Sequence, residues 1–138
     1  RLQLKWQTAR QLVPKAEIVG RGGSEGVLYF GTTSLPIPEA LDKLAVKGIH
    51  LDTCRVRAFP FRNEVEAFVA EHDLIFVVEQ NRDAQMRTLL INELQTNPAK
   101  LISILYFAGL SISADFIDAQ ISAYYEEHKL ARLTEVKS

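Results

Sequence analysis

This chain has one cysteine, no surplus of charge of either sign and no long apolar run, and each lack excludes something. Cys54 alone rules out an internal disulfide framework, and rules out a multi-cysteine metal or iron–sulfur site built by this chain. Sixteen basic and 17 acidic residues leave a net charge of −1, so nothing in the balance suggests a phosphate-backbone partner, which needs a basic face, and no nucleic-acid partner is expected. No apolar run approaches the ~18–20 residues of a membrane span, and no signal peptide opens the sequence. A membrane is therefore not expected, and a reducing, cytoplasmic compartment fits the lone thiol. The histidines His50, His72 and His128 share no metal-holding spacing. Cys54 reads as a small buried hydrophobe rather than a nucleophile. Internal repeats and low-complexity segments are also missing. The first residue is Arg1 and not Met, which fits a piece of a longer protein.

What is present is enough for one domain. The chain has 138 residues and is 47% hydrophobic, so it can bury a core and is not a disordered tail. Residues 1–25 read as an N-terminal helix and linker, 26–128 as an α/β domain, and 129–138 as a polar tail that frays. The helix, Leu2 to Leu12, stops before Pro14, and its Leu4 and Trp6 are free to pack on this domain or on a neighbour. Gly20-Arg21-Gly22-Gly23-Ser24-Glu25-Gly26 fails the dinucleotide pattern, because Glu25 stands where the third glycine belongs and a strand follows; it reads as a flexible surface turn.

From there, strand and helix alternate about four times. Val27–Gly31 is a strand, and Thr32-Thr33-Ser34 before Pro36 signals a helix start. The apolar stripe Ile37, Ala40, Leu41, Leu44 and Ala45 is helical, ending at Gly48. Leu51–Ala58 alternates, with Thr53, Arg55 and Arg57 on one face, which suggests an edge strand or an interface. Asn63 and Glu66 have the spacing of a capping box, before a stripe of Val65, Phe68 and Val69. Asp73–Glu79 is a dense apolar run and reads as the central strand; Asp83 or Asn81 would cap the next helix, whose buried side is Met86, Leu89 and Leu90. Leu101–Phe107 is another buried strand, and Ser113 caps a last helix carrying Phe116, Ile117, Ile121 and Tyr124. Such alternation means a mostly parallel sheet between helical layers, a three-layer α/β/α sandwich. Right-handed crossovers bring Thr32–Ser34, Phe59–Phe61, Gln80–Arg82 and Phe107–Gly109 to one rim.

Parallel sheets bind ligands at that rim. Thr32, Thr33 and Ser34 offer hydroxyls near a helix N-terminus, suited to a phosphate or carboxylate, or simply to capping. Glu79, Gln80, Asn81 and Arg82 form the densest cluster, four polar residues directly after an apolar run. Arg82 suits an anion or a partner's carboxylate, and Glu79 would orient it or a ligand hydroxyl; the plainer alternative is a solvated turn. Arg55 and Arg57 are interface candidates. No residue stands out as catalytic.

At these residues the sequence resembles the C-terminal domain of the alpha subunit of 2-oxoacid:ferredoxin oxidoreductases, particularly the 2-oxoglutarate type. The matching words are Val56-Arg57-Ala58-Phe59-Pro60-Phe61, Val77-Val78-Glu79-Gln80-Asn81-Arg82-Asp83-Ala84-Gln85-Met86, and Lys100-Leu101-Ile102-Ser103-Ile104-Leu105 with Gly109-Leu110. Gly31-Thr32-Thr33 before Pro36–Leu41 resembles the family's Gly-Ser-Thr turn. The resemblance runs from about Leu12 to Ile117; Ala84 departs from it, where glycine is expected. It implies a fold like the transketolase C-terminal domain, with one antiparallel edge strand. It also implies an enzyme that oxidatively decarboxylates a 2-oxoacid with thiamine diphosphate and magnesium, passes the acyl group to coenzyme A, and sends electrons through iron–sulfur clusters to ferredoxin. In that family the cofactors lie in other domains and in the beta subunit. This chain would bind none of them alone, would be inactive alone, and would pack against the beta subunit and the remaining domains of the alpha subunit, lending rim residues to coenzyme A. Two other readings stand beside it: an independent phosphate- or nucleotide-binding Rossmann-like module, and a purely structural interface domain.

Overall fold

The computed structural model describes residues 2–20 and 22–137; the side chains of Leu2, Gln3, Trp6 and residues 130–137 also lie outside the described set, and with them the expected packing of Trp6. Five strands, β1 (Glu17–Val19), β2 (Glu25–Phe30), β3 (Asp52–Val56), β4 (Leu74–Glu79) and β5 (Leu101–Leu105), form one sheet in the order β1-β3-β2-β4-β5. β3, β2, β4 and β5 run parallel, and β1 pairs antiparallel with β3, Ile18 opposite Cys54. The helices are α1 (Leu2–Leu12), α2 (Ile37–Val46), α3 (Asn63–Glu71), α4 (Gln85–Leu94) and α5 (Ala114–Lys137).

Alternation along the strands sorts the core into two layers. Val27 and Tyr29 of β2, Phe76 and Val78 of β4 and Ile104 of β5 pack with Ile37, Ala40 and Leu44 of α2 and Ile117 and Ile121 of α5. Leu28, Cys54, Val56, Ile75, Val77 and Leu101 pack on the other face with Val65, Phe68 and Val69 of α3 and Leu90 of α4. The three-layer α/β/α expectation therefore holds. Each fully buried side chain in these clusters contributes about 1.5–3 kcal/mol of transfer free energy. One ion pair and one hydrogen bond join the end of α2 to α5: Lys47 Nζ lies 2.8 Å from Asp118 Oδ1 and 2.9 Å from Ser122 Oγ, and the Lys47 hydrogen bond holds the Asp118 carboxyl below its ordinary range.

Several local expectations are corrected. The central strand is β2, with β4 beside it, because a continuous apolar run reports burial on both faces and not strand order. β3 is not an edge: β1 covers it, so Asp52, Thr53 and Cys54 are all buried. β5 is an edge and only half-buried at Ile102, Ser103 and Leu105. Ser34 does not cap α2; the cap position is Pro36, without a side-chain hydrogen bond. Asn63 and Glu66 form no capping box, because both accept from Arg10 Nη2 of α1, at 3.2 Å each. Arg62 answers by donating to the carbonyls of Gln11 and Val13, so α1 is held by two reciprocal arginines while Leu4 and Leu12 stay exposed. α5 does not stop near Lys129; its backbone stays helical to Lys137. Ser113 caps it as expected, accepting from Phe116 N at 3.1 Å.

Candidate functional site

The parallel strands β3, β2, β4 and β5 end along one rim, and the polar cluster after β4 is there as expected. Glu79 is the last residue of β4 and is fully buried. Its side chain leaves on the α3/α4 face and meets the start of α4. Glu79 Oε1 accepts from Met86 N at 2.6 Å and Oε2 from Arg87 N at 3.2 Å. Those two amides are orphans of the first turn of α4, so a strand residue caps a helix. Asn81 supports the arrangement, donating from Nδ2 to Glu79 Oε1 at 3.0 Å and accepting from Gln85 N at 3.3 Å. Asp83 takes no part in capping; Arg82 Nε points to its Oδ1 at 3.4 Å.

The N-cap of α4 is Ala84, in the left-handed region at φ 51°. That conformation costs a non-glycine residue roughly 1–2 kcal/mol, which gives a backbone reason for the glycine expected there. Ala84→Gly should raise the unfolding free energy by about 0.5–1 kcal/mol, the strain relief less the added freedom of the unfolded chain. Thermal denaturation checks it, and a lowered melting temperature would mean that Ala84 is unstrained.

The second rim loop is tied to the first. Gly31–Ser34 forms a 3-10 turn after β2, and Gln80 Nε2 donates to Thr32 Oγ1 at 3.0 Å and to Thr33 Oγ1 at 3.1 Å. Thr33 is buried and Thr32 exposed; Ser34 is half-buried on the approach to α2, whose first residue is Ile37. Of the candidate rim residues, then, Thr32, Thr33, Glu79, Gln80 and Asn81 hydrogen-bond within the rim. Arg82 is different: its side chain is 74% exposed, and its one described ion pair is with its neighbour Asp83. Along the same rim, Leu35 after β2 and Phe107 and Leu110 after β5 are exposed by 79%, 64% and 76%. Among the described residues, neither Arg55 nor Arg57 hydrogen-bonds to this cluster, although Arg57 follows β3 at the same rim. Arg55 pairs with Glu17 of β1 at 3.4 Å, and Arg57 is exposed just past β3.

Sequence reasoning missed a second polar pair, at the opposite rim. Asp52, the first residue of β3, and His72, the C-cap of α3, are both 5% exposed, with His72 Nε2 2.8 Å from Asp52 Oδ2. His72 Nδ1 is 2.7 Å from the Phe68 carbonyl and so donates to it. This is a buried structural pair. Gly20 and Gly23 lie against the Asp52 carboxylate, so part of the glycine-rich turn is seated on the pair. Gly26, assigned to the same turn, is instead a buried residue of β2. Cys54 is buried in β3, where desolvation first and Glu64 second push its thiol up to about 12; it is an inert thiol. Near the amino ends of β2 and β4, Tyr125 donates its hydroxyl to Glu25, and burial followed by this bond raises the phenol. Among the described residues no group of three His, Cys, Asp or Glu side chains could hold a metal, and no helix is long and apolar enough to cross a membrane.

No protein-family model and no curated protein sequence matches the chain. Solved structures do. The chain superposes on 2-oxoglutarate:ferredoxin oxidoreductase from Magnetococcus marinus, solved with 2-oxoglutarate, coenzyme A and succinyl-CoA bound, with a TM-score of 0.72 over 85% of this chain at 20% identity. This is the fold of a 2-oxoacid:ferredoxin oxidoreductase domain. The chain spans 21% of that protein's length. The alpha chain of a probable 2-oxoacid ferredoxin oxidoreductase from Thermoplasma acidophilum gives a TM-score of 0.50 at 22% identity, over 80% of this chain and 96% of that one. The fold is thus the one implied by the resemblance around Glu79-Gln80-Asn81-Arg82-Asp83.

Proposed function

We propose that this chain is a non-catalytic domain of the alpha subunit of a thiamine-diphosphate-dependent 2-oxoacid:ferredoxin oxidoreductase, and that its work is packing. The observation that carries this is the state of the rim. Thr32, Thr33, Glu79, Gln80 and Asn81 are spent on one another, and what remains for others among the described residues is the exposed guanidinium of Arg82, and that of Arg57 past β3, with the exposed apolar Leu35, Phe107 and Leu110. An enzyme site presents convergent polar groups in a cleft; a rim of this composition suits a protein neighbour, since apolar groups with arginine mark interface cores. The neighbours are the remaining domains of the alpha subunit and the beta subunit, with ferredoxin and coenzyme A as reactants of the whole enzyme.

The cofactor chemistry belongs elsewhere in that enzyme. An iron–sulfur cluster takes about four thiolates, and this chain has one cysteine, buried. The purified chain is expected to show no 2-oxoacid-dependent reduction of a viologen dye, and measurable reduction would overturn the non-catalytic assignment.

Arg82 meets an anion in the assembly, either a partner's carboxylate or a phosphate of coenzyme A. Arg82→Ala should weaken association of the alpha and beta subunits by about tenfold, or 1.4 kcal/mol, while leaving this domain's melting temperature within about 1 °C, because an exposed pair with Asp83 contributes little to folding. Calorimetric titration of the intact subunit with coenzyme A separates the two anions. Unchanged association together with unchanged coenzyme A affinity would remove Arg82 from both roles.

A further inference from the structure

The sheet has two edges, and they are unlike. β1 is blunted in the usual ways: it has three residues, carries Glu17 ion-paired to Arg55, and runs into Gly20, Gly22 and Gly23. β5 is not. Leu101-Ile102-Ser103-Ile104-Leu105 contains no charge, no proline and no glycine, and among the described residues no strand lies outside it.

The direction of its backbone groups follows from two hydrogen bonds. Tyr106 N donates inward to Glu79 O of β4 at 2.9 Å. Groups alternate along a strand, so Ile102, Ile104 and Tyr106 face β4, and Leu101, Ser103 and Leu105 face out. Arg87 agrees with this, since its Nε donates to the Leu101 carbonyl at 2.8 Å and its Nη2 to Pro98 O at 2.9 Å, closing the start of the edge. Past that plug, the outward N–H and C=O of Ser103 and of Leu105 face no strand among the described residues, and both residues are half-buried. Four unpaired ladder groups at two-residue spacing are recognised by another strand.

We propose that β5 pairs antiparallel with β5 of a second copy of this chain, about a two-fold axis at Ile104. The choice of a copy rests on register and charge. Antiparallel neighbours exchange both hydrogen bonds between directly opposed residues. Centred on Ile104, Ser103 of each chain opposes Leu105 of the other, so four bonds form and every outward group past Arg87 is used. A strand related to its copy by a two-fold axis brings its own charges close together, and like charges there are destabilising; β5 has none. The axis runs through the sheet, so the helical layer of α2 and α5 stays on one side in both copies. The joined sheets would have ten strands. This pairing is independent of the rim and of the enzyme assignment.

Sedimentation equilibrium of the full chain tests it, with amide hydrogen exchange alongside. The expected mass is twice 15.5 kDa at high concentration, falling to 15.5 kDa on dilution, with Ser103 and Leu105 amides protected in the dimer alone. Ser103→Pro removes an outward N–H that the sheet does not use, and Ser103→Lys leaves the backbone intact but adds a charge at the edge. Both are expected at 15.5 kDa with the parent's circular dichroism; if the proline variant fails to fold, the lysine variant decides. A parent chain that stays at 15.5 kDa with unprotected Ser103 and Leu105 amides would overturn the proposal, as would a folded Ser103→Lys variant that still dimerises.

Discussion

Glu79→Ala is expected to lower the unfolding free energy by about 3 kcal/mol, the range for removing hydrogen bonds to a charged group and leaving its partners orphaned in a buried place. The residue is fully buried and accepts from Met86 N, Arg87 N and Asn81 Nδ2. Alanine leaves two helix-end amides without an acceptor and a void under the first turn of α4. For a chain of this size the melting temperature should fall by roughly 10 °C. Glu79→Gln keeps the volume but turns one NH2 toward a backbone N–H, so it should recover little of the loss. Denaturant unfolding of the two variants decides: a Gln variant as stable as the parent would mean that Glu79 serves as filler and not as an acceptor. The prediction bears on function because the turn that presents Arg82 lies between Glu79 and the helix it caps.

The second large effect sits at the other end of the sheet. A Cβ on Gly26 would stand 2.6 Å from Phe68 Cζ, 3.1 Å from its Cε1 and 3.2 Å from the Asp52 carbonyl oxygen. Phe68 has nowhere to go: it is 2% exposed and its ring lies against His72, centroids 4.1 Å apart. Gly26→Ala should therefore cost about 3 kcal/mol, at the upper end for overpacking by one methyl group. Trimming the obstacle tests the cause. Phe68→Leu alone should destabilise, but combined with Gly26→Ala the two should cost less than their sum by at least about 1 kcal/mol. Strict additivity would show that the methyl group and the ring never meet.

These two predictions also mark the boundary of what could be read without coordinates. Periodicity located the helices and strands because it reports which face of an element is buried: Ile37, Ala40 and Leu44, or Val65, Phe68 and Val69, had no other way to hide. The rim was legible for the same reason, since parallel strands must end on one side. What escaped were contacts set by tertiary placement. Glu79 lies seven and eight positions before the amides it caps, beyond any local capping pattern. Asp52 and His72 are 20 residues apart and meet only because α3 folds back over β3. Asn63 and Glu66 had the right spacing for a box, yet Arg10, more than 50 residues upstream, took both acceptors. Strand order is likewise invisible to burial, so β4 was placed at the centre that β2 occupies.

The most direct test of the central claim uses the intact parent subunit with its beta partner, with and without the segment described here. Viologen-dye reduction is measured with 2-oxoglutarate or pyruvate and coenzyme A. The account predicts activity in the complete pair, loss of that activity together with loss of subunit association on deletion, and none from this chain alone. Full activity in an assembled pair lacking the segment would contradict it.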